Sequence, residues 1–145
     1  MKLPPAISRC LCNIGECRKR GKVCWEADGG QYFHIRVDRC VECFTGLKRA
    51  DCVILHPIHD GKICAFIVEV KTRYYDLDEV REIENTLNVL DNILNYPFIP
   101  IPILYAESHR KWRRYALQKK VKYKGKTFPV AFLKYCESIQ KAIRW

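Results

Sequence analysis

The chain predicts an α/β fold, a mixed central sheet with helices packed against its faces. Three observations carry that expectation. Two short apolar runs, Asp51–Leu55 and Ile63–Lys71, are separated by Pro57 and a turn at His59-Asp60-Gly61-Lys62, which is the pattern of paired strands. From Asp76 to Tyr96 the residues Leu77, Val80, Ile83, Leu87, Leu90 and Leu94 recur at spacings of three and four, which draws one apolar stripe along a helix. A third apolar run, Phe98–Ala106, follows directly. Strands that alternate with a helix in this way imply a sheet covered by helices.

Taken in order, residues 1–30 form a cysteine-rich segment without a clear period, in which a short helix over Ile7–Lys19 is the most regular feature. Gly29-Gly30 marks a turn, and Gln31–Val37 alternates as a strand does, through Tyr32, Phe33, Ile35 and Val37. Ile63–Val68 is apolar throughout and reads as a buried central strand. Asp76 is suited to cap the long helix, with Glu79 three residues on, and Pro97 ends it. The acidic first turn also favours the helix dipole. Pro100 and Pro102 suggest an edge position or an irregular entry for the strand Phe98–Ala106. Beyond it, residues 108–145 read as a basic extension: a helix capped by Ser108 and running to about Lys120, a β segment near Phe128–Leu133, and a last helix over Cys136–Ile143. At 145 residues the chain is most simply one domain, able to bury about two thirds of its unfolded surface.

The net charge of +10 favours a polyanionic partner, and its distribution sharpens the expectation. Arg110 to Lys126 holds nine basic residues and no acidic one, interleaved with Trp112, Tyr115 and Tyr123. Such a segment neutralises phosphates while its rings stack on bases or pack inward; a solvated helix face is the plainer alternative. No run approaches the roughly 20 apolar residues of a membrane span, so no membrane partner and a cytoplasmic location are expected. Nine cysteines fall at 10, 12, 17, 24, 40, 43, 52, 64 and 136. The six nearest the N-terminus are compatible with a Zn²⁺ site, an iron–sulfur cluster or disulfides, whereas Cys52 and Cys64 sit inside apolar strands and read as packing residues. Three glutamines and 29% charged residues are the composition of a thermophile's protein.

Chemistry concentrates between Lys48 and Lys71. Glu69 and Lys71 lie two apart on one strand and so project to the same face, and a hairpin would bring Asp51 beside them. Ionised groups at the end of so apolar a strand are costly unless paired or bound to a metal. Each residue alone also has a plainer role. Glu69 and Lys71 would make a surface pair worth less than about 1 kcal/mol, and Asp51 a turn residue. Together, two carboxylates and a lysine at a sheet edge suit metal-dependent cleavage of a phosphodiester.

In this arrangement, Asp51 followed by Glu69-Val70-Lys71 resembles the PD-(D/E)xK nuclease superfamily, with Ala50-Asp51 standing for Pro-Asp. The likeness covers roughly residues 30 to 107. It implies a restriction-endonuclease-like α-β-β-β-α-β core and a Mg²⁺- or Mn²⁺-dependent endonuclease. Asp51, Glu69 and the backbone carbonyl of Val70 would be the metal ligands, and Lys71 would assist the attacking water. DNA is then the favoured partner, contacted by Lys48, Arg49, Arg73, Arg110, Lys111, Arg113, Arg114, Lys119, Lys120 and Lys122, and a homodimer is a reasonable expectation. Members often add a glutamate from the first helix, for which Glu16, Glu26 and Glu42 are candidates; His34 and Asp38 lie nearby. The Asp76–Tyr96 helix lacks the glutamine of RecB-like members, so a branch like the archaeal Holliday-junction resolvases or the restriction enzymes fits better. Two alternatives stand beside the nuclease: a non-catalytic nucleic-acid-binding protein of the same fold, and a small zinc-stabilised regulatory protein.

Overall fold

A computed structural model describes residues 5–8, 32–37, 49–58, 61–70, 79–94, 96–106, 119–134 and 139–143. Its elements are α1 (Pro5–Ser8), β1 (Phe33–Arg36), β2 (Cys52–Pro57), β3 (Ile63–Val70), α2 (Glu79–Ile93), β4 (Phe98–Ala106), β5 (Lys120–Tyr123), β6 (Lys126–Pro129), β7 (Ala131–Lys134) and a 3₁₀ turn (Ile139–Ala142). Five strands form one mixed sheet in the order β1-β2-β3-β4-β7. The first three make an antiparallel meander, and β4 and β7 then add in parallel. A parallel neighbour requires a crossover, and α2 supplies it between β3 and β4.

Every residue of β3 is buried, as its unbroken apolar run requires of a central strand. Its two faces enter different cores. Ile63, Ala65 and Ile67 pack with Val53 and Leu55 against Ile83, Leu87 and Leu90 of α2. Cys64, Phe66 and Val68 pack with Ile54, Ile103, Tyr105 and Ile139 on the other face. The apolar stripe of α2 is therefore the surface that closes one side of the sheet. Cys52 and Cys64 are buried free thiols. Burial pushes the Cys64 thiol above its ordinary range.

Two sequence expectations are corrected, the single β segment near Phe128–Leu133 and the last helix, and one is met in part. Strand β4 pairs with β3 along Phe98–Tyr105 but with β7 only from Ile103 onward. Among the described residues, the half that holds Pro100 and Pro102 is therefore at an edge, as expected, and the other half is internal. Pro100 and Pro102 are tolerated because they precede the β7 pairing and, two residues apart, turn their N–H-less nitrogens to a common side. The basic helix expected from Ser108 to about Lys120 lies outside the described residues as far as residue 118, and β5 begins at Lys120. The single β segment near Phe128–Leu133 is two strands broken at Val130: β6 closes a hairpin with β5, and β7 joins the main sheet. Within the expected last helix, Ile139–Ala142 is a 3₁₀ turn. Residues 9–31, which hold most of the expected Ile7–Lys19 helix, lie outside the described residues, as do Asp76 and the cysteines other than Cys52 and Cys64.

Lys124 and Gly125 both have positive φ, 49° and 75°, and form the two-residue type I′ turn whose twist matches that of paired strands. Gly125→Ala is expected to cost about 1 kcal/mol from backbone strain alone, because nothing lies within 4 Å of an added Cβ. A fall in Tm of about 3 °C would register it; an unchanged Tm would mean the turn relaxes to another type.

Candidate active site

Cys52 lies opposite Val68 in the antiparallel β2–β3 ladder. Asp51 directly precedes β2, at a bend, and Glu69 is the next residue of β3 after Val68, on the face that Ala65 and Ile67 turn to α2. Two backbone contacts hold the junction. The Asp51 N–H donates to the Val68 carbonyl at 3.1 Å, and the Val70 N–H donates to Asp51 Oδ2 at 2.7 Å. The second is a charge-assisted bond that fixes the direction of the Asp51 carboxylate.

A third carboxyl group arrives from α2. Glu69 is only 4% exposed, and its side chain is hydrogen-bonded to Glu82 and to Asp51. Burial comes first among the causes that push the Glu69 carboxyl up to about 12; the Glu82 hydrogen bond and the Asp51 and Glu82 charges add to it. The direction of that shift favours the protonated form of Glu69, which relieves repulsion among the three carboxyl groups. Glu79 and Glu82 occupy the first turn of α2, where the helix dipole favours negative charge.

Thr86 sets the position of α2 over this cluster. Its hydroxyl donates to the Glu82 carbonyl at 2.8 Å, the i−4 bond open to a helical threonine. The same oxygen accepts the Ala50 N–H at 2.8 Å. Thr86 therefore ties the turn that carries Glu82 to the residue before Asp51.

Among the residues expected from sequence, the structure brings Asp51, Glu69 and Val70 together. Lys71 lies outside the described residues, as do Lys48, Arg73, Arg110, Lys111, Arg113 and Arg114. Arg49 and Lys119 are half-buried, while Lys120 and Lys122 are exposed on β5. Glu16, Glu26, Glu42 and Asp38 are also outside the described residues. His34 is not part of the cluster: it is buried on β1 opposite Ile54, whose face is turned away from α2. Glu82 is the residue that sequence reasoning missed. Its signal was a polar trace through the apolar stripe, in which Glu79, Glu82 and Thr86 fall on the arc of Ile83, Leu87 and Leu90.

No known protein family, curated protein or solved structure matches this chain. The chemistry of the cluster must be judged from its own donors. Among the described residues, no group of three or more His, Cys, Asp or Glu side chains is arranged to hold a metal ion. The donor set that remains is the Asp51 and Glu69 carboxylates with the Val70 carbonyl. Two carboxyl groups and a backbone carbonyl are donors of the type magnesium takes, although Glu69 would first have to lose its proton. A cavity of about 300 Å³ lies elsewhere, beside β4 and β6, lined by Cys64, Ile99, Ile101, Phe128, Ala131, Ile143 and their neighbours. It contains no carboxylate or cationic group, so it is separate from the cluster. Among the described residues, no helix is long and apolar enough to cross a membrane.

Proposed function

We propose that the chain is a metal-dependent nuclease that hydrolyses phosphodiester bonds in DNA. Asp51 and Glu69 would hold a Mg²⁺ or Mn²⁺ ion, with the Val70 carbonyl as a further ligand. The observation that carries the proposal is the contact of Asp51 with Glu69 and Val70 at the carboxyl end of a fully buried strand. A buried carboxyl beside two others is unfavourable for folding, and a carboxyl perturbed as Glu69 is belongs to the kind that concentrates at functional sites. The topology supports the same reading. An antiparallel β1-β2-β3 meander followed by a helix and a parallel β4 has the β-β-β-α-β order that the resemblance implies.

When bound, the cation would neutralise the phosphate, acidify a water and stabilise the departing oxygen. Asp51 is oriented in advance by the Val70 N–H. Glu69 would release its proton on binding, which makes the site's affinity rise with pH. Glu82 orients Glu69 through their hydrogen bond. Lys71 would donate to the attacking water or a phosphate oxygen and offset the charge that develops there.

A second reading, a non-catalytic nucleic-acid-binding protein of the same fold, draws on the protonated form that burial favours at Glu69, because a carboxyl that keeps its proton holds no cation. One assay separates the two. Labelled single-stranded, duplex and four-way-junction DNA are incubated with Mg²⁺, Mn²⁺ or EDTA, and cutting is compared at saturating protein. The nuclease cuts only with metal, and Lys71→Ala lowers the rate by about 10²- to 10³-fold with binding retained. Binding without cutting under every metal would leave the second reading.

A further inference from the structure

The β5–β6 hairpin carries Lys119, Lys120, Lys122, Lys124 and Lys126, five lysines in the eight residues 119–126 with no acidic residue among them. Its sides are sharply divided. Val121 and Tyr123 are buried, while Lys120 and Lys122 alternate with them and are exposed. Thr127 lies opposite Lys122 and Pro129 opposite Lys120, so the outer face holds two lysines, a hydroxyl and a proline. Lys124 stands at the tip.

The ribbon is anchored to α2. The Lys122 N–H donates to Glu84 Oε2 at 2.8 Å. The Tyr123 hydroxyl donates to Asp91 Oδ1 at 2.7 Å, and Lys124 Nζ approaches the same oxygen at 2.9 Å. The hydrogen bonds from Lys124 and then Tyr123 hold the Asp91 carboxyl below its ordinary range. Lys124 is thereby paired with an acid, yet its side chain stays 63% exposed. Among the described residues, Lys120, Lys122 and Lys126 have no ion-pair partner.

The aromatic rings of the hairpin are turned away from solvent. Tyr123 stacks on Phe98 with ring centroids 5.2 Å apart and packs against Phe128. Of the two roles expected for the Tyr123 ring, stacking on a base or packing inward, the structure shows the second. Single-stranded nucleic acid is held largely by stacking its bases on exposed rings, and among the described residues the outer face of the hairpin presents none. What it does offer is the two exposed lysines of its outer face, Lys120 and Lys122, with Lys124 and Lys126 exposed at the turn beside them, cationic groups of the kind that bind a backbone whose bases are already stacked inside a helix.

Position adds direction. The hairpin meets α2 at Glu84, two residues from Glu82, and its tip meets α2 at Asp91, about 10 Å further along the helix. The lysines thus run from the far end of α2 back toward the turn that carries the carboxylate cluster.

We propose that the β5–β6 hairpin is a docking ribbon for the phosphate backbone of double-helical DNA, with Lys120, Lys122, Lys124 and Lys126 as its contacts. The proposal rests on the reading of the carboxylate cluster as a site acting on nucleic acid, and it specifies that substrate as duplex. The test uses the full chain in EDTA, so that binding is measured without cutting. Fluorescence anisotropy compares a labelled duplex of mixed sequence with a single strand of equal length, from 50 to 200 mM salt, for wild type and for a variant with all four lysines replaced by glutamine. Circular dichroism and a thermal melt check that the variant is folded; the double variant K120Q/K122Q, which leaves the turn and the Asp91 contact intact, is the substitute if it is not. Wild type is expected to prefer the duplex. The four-lysine variant should bind it at least 10-fold more weakly at 50 mM salt, with the slope of log K against log salt reduced by about 0.9 for each phosphate that is no longer neutralised. Unchanged duplex affinity and slope in a folded variant, a wild-type preference for the single strand, or no binding by wild type would each overturn the proposal. So would displacement of the duplex by polyglutamate at equal charge, which would assign the ribbon to acidic polypeptides. Cutting is scored separately: a wild type that cuts but whose binding ignores the lysines loses only the ribbon, and one that binds through the lysines but never cuts loses only the nuclease.

Discussion

Replacing Glu69 by glutamine is expected to make the metal-free protein more stable at pH 8 by about 2–4 kcal/mol while abolishing metal-dependent cutting. The carboxyl titrates near 4.5 when the chain is unfolded and is pushed up to about 12 in the fold. Between those values the folded state binds one more proton than the unfolded state. Stability from this group is therefore complete below the unfolded value and falls as pH rises, by up to about 1.4 kcal/mol per pH unit, until Glu69 ionises in the fold. Glutamine has no proton to lose, and its amide donates to a neighbouring carboxylate as the protonated acid does. The check is urea unfolding in EDTA at pH 5 and pH 8. Wild type should gain stability on going to pH 5, and the variant should lack that component. Equal pH dependence in the two proteins would mean that Glu69 ionises normally. A stabilised but inactive variant would be the usual trade between stability and a strained functional site.

Thr86→Val is expected to destabilise the fold by about 1–3 kcal/mol although it preserves shape and volume. The hydroxyl accepts the N–H of Ala50, and both residues are buried, with exposures of 0% and 1%. Valine leaves that N–H without its partner, which costs the desolvation of the group rather than the modest net value of a bond. The Glu82 carbonyl loses only an additional donor. Loosening α2 also frees Glu82 relative to Asp51, so cutting should fall while DNA binding holds. Thr86→Ser, which keeps the oxygen, should recover most of the stability and the activity. The measurement is the urea midpoint at constant m-value; a valine variant as stable as wild type would show that Ala50 finds another acceptor.

Much of the scaffold was legible locally. Phe98–Ala106 begins and ends where its apolar run does, and β3 ends one residue short of its expected limit, at the boundary of the described residues. That a β2–β3 hairpin brings Asp51 close to Glu69 was expected from two apolar runs and a turn. The hairpin was harder to see. Lys120–Tyr123 alternates over only four residues, and a Lys-Gly turn is a weaker signal than Asn-Gly or Asp-Gly. The run of lysines around it resembled a basic helix continuing from the segment before. The two prolines of β4 marked an edge over only half of the strand, because composition does not say where along a strand its second neighbour starts.

What the sequence determined by itself is therefore the set of surfaces: a wholly apolar β3, a helix with one apolar stripe, and two carboxylates near one end of a strand hairpin. Periods of 2 and 3.6 residues express that directly. The tertiary structure decided which surfaces meet. The Thr86 tether spans 36 residues and the Glu84 anchor of the hairpin spans 38. A periodic pattern tells an element which side to bury but not what will cover it. Glu82 became the third carboxyl of the cluster, and Tyr123 an inward ring rather than a base platform, only when α2 was laid across the sheet.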